Sequence, residues 1–159
     1  MRLITDINIV QSYKLPDKSG LFVNIVYGDR AFPLSRGTSG SAGWDIKASE
    51  SYVLKPNVVT AVDTGIRLEI PDGYEAQVRS RSGLASDGVM VANGIGTIDS
   101  DYRGVIKVLL VSLNGIKIIN RGDKVAQILI KKLENVEFVP VDKLDETARG
   151  ENGFGSTGR

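Results

Sequence analysis

Histidine and cysteine are both missing from the 159 residues. Without cysteine there are no disulfides, thiolate nucleophiles or zinc–thiolate sites. Without histidine there are no histidine-based triads, no imidazole metal clusters and no ordinary general base near neutral pH. Hydrolytic chemistry on this chain must therefore use carboxylates, arginines and backbone dipoles, with or without a metal ion, which is the repertoire of phosphate chemistry. Charge of one sign is also missing: 20 Lys and Arg face 19 Asp and Glu, for a net charge of +1. That balance, with 6% aromatics, argues against a domain built to bind nucleic acid. No stretch approaches the roughly 20 apolar residues that cross a bilayer. The start, Met1-Arg2-Leu3-Ile4-Thr5-Asp6, lacks the pattern of a secretory leader. A cytoplasmic protein without membrane or nucleic-acid partners is expected.

The chain does have glycine. Eighteen residues are Gly, above the usual share of about 7%, and they punctuate short runs rich in β-branched residues. These runs are Leu21 to Tyr27, Val58 to Val62, Ile66 to Ile70, Val105 to Val111 and Val125 to Ile130, each bounded by turn formers. No long window carries helical spacing, so one or two short helices at most are expected. The pattern reads as an all-β single domain, a distorted barrel or jelly-roll-like double sheet, over residues 1–148. Val105 to Val111 and Val125 to Ile130 are apolar at nearly every position, as in strands covered on both faces. Their second face meets either another subunit or a second layer of the same chain.

Residues 149–159 (Arg149-Gly150-Glu151-Asn152-Gly153-Phe154-Gly155-Ser156-Thr157-Gly158-Arg159) have a different character. Such a segment cannot offset its own ordering entropy. It reads as a frayed tail or as a lid that grips an anion, the second use accounting for its two arginines, Phe, Ser and Thr.

Three polar segments carry chemistry. Ser39 to Ala48 (SGSAGWDIKA) sets Asp45 among small residues that allow close backbone approach; Asp45 there is either a turn acceptor or a site carboxylate. Ser80 to Ala85 (SRSGLA) offers a guanidinium, a hydroxyl and the bare amide of Gly83, as a polyphosphate site requires. It also reads as a helix start capped by Ser, and the two are compatible because a helix start attracts anions. Asn93 to Gly104 (NGIGTIDSDYRG) reads as a glycine-opened hairpin. Asp99 there is either a turn former or a base for water, and Tyr102 suits a sugar face. Asp99 and Asp101 point the same way if the segment stays extended, but not across a tight turn.

Taken with RGDKVAQ (Arg121 to Gln127) and RGENGFGSTG (Arg149 to Gly158), these segments resemble, in order, the five motifs of the trimeric dUTP diphosphatase (dUTPase) family. The resemblance spans Ser39 to Thr157. It implies a homotrimer with sites shared between subunits, and dUTP as substrate, hydrolysed to dUMP and pyrophosphate. That reaction keeps uracil out of DNA and supplies dUMP for dTMP synthesis. The family pattern makes Asp99 the base that activates water for attack on the α-phosphorus, with Mg²⁺ as cofactor. Asn93 and backbone groups of Gly96, Thr97 and Ile98 would take the uracil edge, and Tyr102 the deoxyribose. Arg81, Ser82 and Gly83 of a neighbouring subunit would hold the phosphate chain, with Gln127 near the α-phosphate. Asp45 would face the metal shell through water. Arg149 would reach the γ-phosphate, Phe154 would stack on uracil, and Ser156 and Thr157 would lie near phosphate.

The sequence departs from the family pattern at several positions. Ser80 stands where Pro is common, which implies a less rigid approach to the phosphate loop. Trp44 replaces a Tyr or aliphatic residue, Val105 a frequent acidic residue and Asn152 a Gly, and Ser112 to Ile116 is short. The related dCTP deaminases carry a Glu on the strand after the hairpin and Arg-Ser-Ser in the second motif. Val105 to Val111 has no Glu, and the second motif here is Arg-Ser-Gly.

Overall fold

A computed structural model describes residues 20–153. The first strands are β1 (Asn24–Tyr27), β2 (Trp44–Lys47), β3 (Tyr52–Leu54), β4 (Thr60–Asp63), β5 (Ile66–Glu69) and β6 (Tyr74–Arg79). After a single-turn helix, α1 (Ser82–Ser86), come β7 (Val89–Val91), β8 (Ile95–Ile98), β9 (Lys107–Ser112), β10 (Lys117–Ile119) and β11 (Lys124–Lys132). The strands pair antiparallel in four sheets, with orders β1-β5, β10-β3, β2-β11-β6-β8 and β4-β9-β7. Pairing does not run continuously around the core, so the architecture is jelly-roll-like rather than a closed barrel.

Period-two alternation builds the core. On β5, Ile66 and Leu68 point inward while Arg67 and Glu69 face out. On β9, Val108, Leu110 and Ser112 are buried. Val108 and Leu110 join Ile66, Leu68, Ile46, Leu54, Val62, Val89, Val91, Ile106 and Val125 in one cluster. Buried Thr64 is satisfied by donating to the Ile106 carbonyl at 2.7 Å. Among the described residues no buried side-chain polar atom lacks a partner, as expected of a well-packed interior.

The five apolar runs correspond to β1, β4, β5, β9 and β11. Six further strands come from segments without such runs. β2 lies inside SGSAGWDIKA, read above as a turn: Ile46 alone of its four residues is buried, and β11 supplies its ladder. The outer-face residues Leu109 and Val111 of β9 stay half-buried in the single chain. Residues 133–153 form neither helix nor strand and are exposed throughout, including Val136, Phe138, Val139, Val141 and Leu144.

Candidate active site

The first, second and fourth motifs meet because β11 lies between β2 and β6. Gln127 is the register partner of Asp45 on one side and of Arg79 on the other. The chain leaving β6 delivers Ser80, Arg81 and Ser82 to the same end of the sheet. A β-bulge between Lys124 and Ala126 completes the arrangement. Val125 and Ala126 are both buried, so the strand changes phase, and Lys124 and Gln127 share the face that carries Asp45. Regular alternation would have turned one of them inward. Bulges re-aim side chains in this way.

Asp45, with 15% of its side chain exposed, takes one cation on each oxygen. Arg81 Nε donates to Oδ1 at 2.9 Å, and Lys124 Nζ to Oδ2 at 2.7 Å. Burial pushes the Asp45 carboxyl up, but the Lys124 hydrogen bond and the Arg81 and Lys124 charges outweigh it, and the pKa falls below its ordinary value. Arg81 Nη1 also donates to the Lys124 carbonyl at 3.1 Å. A guanidinium has five N–H donors, and Nη2 is not used in these contacts. Arg81 is the N-cap of α1, in extended conformation and with no side-chain cap bond. Ser82 is thus the first helical residue and not the cap. The Gln127 amide donates to the Ser80 carbonyl at 3.0 Å. Gly43 lies directly against it, and a Cβ there would collide with the Gln127 Oε1 atom. A cavity of about 370 Å³ opens over Gly43, Asp45, Arg81, Ser82, Gly83 and Gln127.

Ser80 makes a contact that proline could not. Its hydroxyl accepts the Val91 N–H at 2.8 Å, tying the loop to β7. Ser80→Ala leaves that N–H without its acceptor and is expected to cost about 1–3 kcal/mol, read from urea unfolding. An unchanged midpoint would show that other contacts hold the loop.

The third motif lies elsewhere. β8 pairs with β6, Thr97 opposite Gln77 and Ile98 opposite Ala76, and ends before a turn at Ser100 and Asp101. The Tyr102 N–H donates to the Asp99 carbonyl at 3.2 Å, and Arg103 Nη1 to the Ser100 carbonyl at 2.6 Å. Asp99 and Asp101 are therefore not on one extended arm. Asp99, Thr97, Ile98 and Tyr102 line a cavity of about 280 Å³ together with Val105 and Lys107. Asn93 and Gly96 are close to each other, since a Cβ on Gly96 would stand 3.5 Å from Asn93 Nδ2, but neither lines that cavity. The Tyr102 hydroxyl donates to the Val105 carbonyl at 3.2 Å, and its ring covers Gly104. Any Cβ on Gly104 would meet that ring. Gly104→Ala is expected to displace Tyr102 without unfolding the chain, raising KM about tenfold, the scale of 1.4 kcal/mol. A normal KM would show that the ring position is not needed.

Asp99 and Arg81 are far apart in one chain. Ile98 is level with Ala76 on β6; the strand runs from there to Arg79, and Arg81 lies two residues further on in extended backbone. At about 3.4 Å per residue that stretch spans roughly 17 Å.

The family model described as dUTPase matches residues 30–158. The chain belongs to the dUTPase family. A deoxyuridine 5'-triphosphate nucleotidohydrolase of Anaplasma marginale is 52% identical over 128 residues, covering 78% of this chain and 87% of the relative. One from Fusobacterium nucleatum is 48% identical over 126 residues, covering 77% and 86%. In fold the chain is similar to a variant of the Staphylococcus bacteriophage 80alpha dUTPase with dUpNHpp. Its TM-score is 0.80 at 24% identity, over 87% of this chain and 99% of that one.

Among the dUTPase motifs, the fifth is only partly described. Arg149 lies in an exposed turn, its Nε donating to the Asn152 carbonyl at 3.0 Å. Phe154, Ser156 and Thr157 lie outside the described residues. Sequence reasoning missed Lys124. In a run that is apolar at nearly every position, the Val125-Ala126 pair gave no distinct mark of the bulge.

Proposed function

We propose that the chain hydrolyses dUTP to dUMP and pyrophosphate. What supports this reading is that a member of the dUTPase family carries two separate half-sites, a cradle around Arg81 and a carboxylate-bearing hairpin around Asp99. In the reaction, a water oxygen bonds to the α-phosphorus while the Asp99 carboxylate takes its proton. The bond from the α-phosphorus to the bridging oxygen breaks, and pyrophosphate leaves. Free donors of Arg81, the Ser82 hydroxyl and the Gly83 amide hold phosphate oxygens, and the Gln127 amide lies near the α-phosphate. Asn93 and the backbone of Gly96, Thr97 and Ile98 pair with the uracil edge, and Tyr102 covers the deoxyribose. Arg149, Phe154, Ser156 and Thr157 belong to a lid, residues 149–159, that excludes water and adds charge to the transition state.

Among the described residues no three acidic side chains gather into a metal cage. One carboxylate, Asp45, stands in the phosphate cradle with both oxygens already bonded to cations. That donor set fits Mg²⁺, which binds phosphate oxygens and water and needs few protein ligands, with Asp45 facing its shell through water. When bound, Mg²⁺ supplies neutralisation of phosphate charge.

A carboxylate base and a phosphate clamp that act on one substrate should lie close together, whereas roughly 17 Å of backbone separates them here. This separation supports a homotrimer in which neighbouring subunits contribute the two halves. The half-buried Leu109 and Val111 and the exposed apolar side chains of residues 133–148 support the same reading. In the cell the activity would keep uracil out of DNA and supply dUMP for dTMP synthesis in the cytoplasm. Among the described residues no helix is long and apolar enough to cross a membrane.

The test is pyrophosphate release from dUTP with Mg²⁺. No turnover by a folded assembly that binds dUTP would favour a regulatory nucleotide binder, and ammonia from dCTP would favour a deaminase.

A further inference from the structure

Lys124 does not line the phosphate cradle, yet it touches both groups that build it. Its ammonium holds Asp45 Oδ2 at 2.7 Å, and its carbonyl accepts Arg81 Nη1 at 3.1 Å. The bulge in β11 is what puts it there. Arginine and a carboxylate ordinarily close on each other as a two-pronged fork. Here they do not: Arg81 meets Asp45 through Nε and Oδ1 alone, and the second carboxylate oxygen is occupied by Lys124.

We propose that Lys124 is a positioning residue for the phosphate clamp, holding Asp45 Oδ2 so that Arg81 keeps its Nη2 edge free for a phosphate oxygen. Removing the ammonium leaves Oδ2 without its cation and lets Asp45 capture the second prong of Arg81. It also takes one positive charge from a trio (Arg81, Lys124, Asp45) that together carries one net positive charge. Both changes weaken the hold on a polyphosphate. Neither touches the water or its base on the Asp99 hairpin, so the effect falls on binding rather than on the chemical step.

This inference rests on the dUTP reading, and the experiment separates the two. Wild type, Lys124→Met and Lys124→Arg are compared by steady-state turnover of dUTP with Mg²⁺. They are also compared by calorimetric binding of the non-hydrolysable α,β-imido-dUTP, with and without Mg²⁺. Lys124→Met is expected to raise KM and the analogue Kd about tenfold, the scale of one charge-assisted hydrogen bond. In the same variant kcat should stay within about threefold of wild type, a split that a purely structural lesion would not give. Lys124→Arg should restore binding to within about threefold of wild type, since it keeps a cation in reach of Oδ2. If the Met variant does not fold, Lys124→Gln, which keeps the length and loses the charge, takes its place with the same expectation. Wild-type KM and Kd in the neutral variant would overturn the proposal, as would a loss confined to kcat or a failure of Lys124→Arg to rescue. A wild-type protein that neither binds the analogue nor releases pyrophosphate would overturn the dUTP reading itself, and this inference with it.

Discussion

Asp99→Asn is expected to bind dUTP with near-normal affinity and to turn it over about 10²–10⁴-fold more slowly, the contribution of a well-placed general base. The amide has the size of the carboxylate and keeps an acceptor oxygen, but it cannot take the proton of the attacking water. Asp99 suits this comparison because it lies on an exposed turn beyond β8, where the substitution removes no core contact. Single-turnover kinetics beside calorimetric binding would separate the two quantities. A turnover number within tenfold of wild type would remove Asp99 from the role of base.

Deleting residues 149–159 is expected to lower kcat/KM on the order of a thousandfold, the scale of an arginine that completes a phosphoryl-transfer site. The melting temperature should move by less than about 2 °C. The structural basis for the second half is local. Residues 149–153 are exposed. Among the described residues, the bonds they make stay within the turn: Arg149 Nε to the Asn152 carbonyl, the Asn152 N–H to the Arg149 carbonyl, and the Gly150 N–H to the Thr147 carbonyl. Removing such a turn opens no cavity in the cluster around Leu54, Val62 and Leu110. A fall of more than about 5 °C, corresponding to roughly 1 kcal/mol or more, would mean that the segment braces the fold.

The parts of this molecule that sequence made legible are those whose cause is local. Ile66 to Glu69 alternates inward and outward within four residues, so β5 could be read from its own side chains. Asp99 and Tyr102 share a cavity because a four-residue turn brings them there. Where the cause is non-local, the reading faltered. Trp44 to Lys47 buries only Ile46 and sits among glycines, and it becomes a strand because β11 pairs with it some eighty residues later. Along β6, Glu75, Gln77 and Arg79 alternate with buried Ala76 and Val78, a period-two pattern that a search for apolar runs overlooks. The convergence of Asp45, Arg81 and Gln127 is a matter of register between three strands, which no local pattern encodes. Here the resemblance to the family supplied what composition left open. Lys124 escaped even that, because its place depends on a phase change of one residue.

Sites shared between neighbouring subunits, as proposed for Arg81 and Asp99, would have a genetic consequence. In an assembly whose sites draw these residues from different chains, a subunit lacking Arg81 and a subunit lacking Asp99 are each inert alone but complementary when mixed. Where an Asp99-defective chain lends its arginine to a neighbour that kept its aspartate, an intact site reappears. Two null alleles of the gene would then restore activity in the same cell, and a single defective allele would poison sites on chains that carry no lesion.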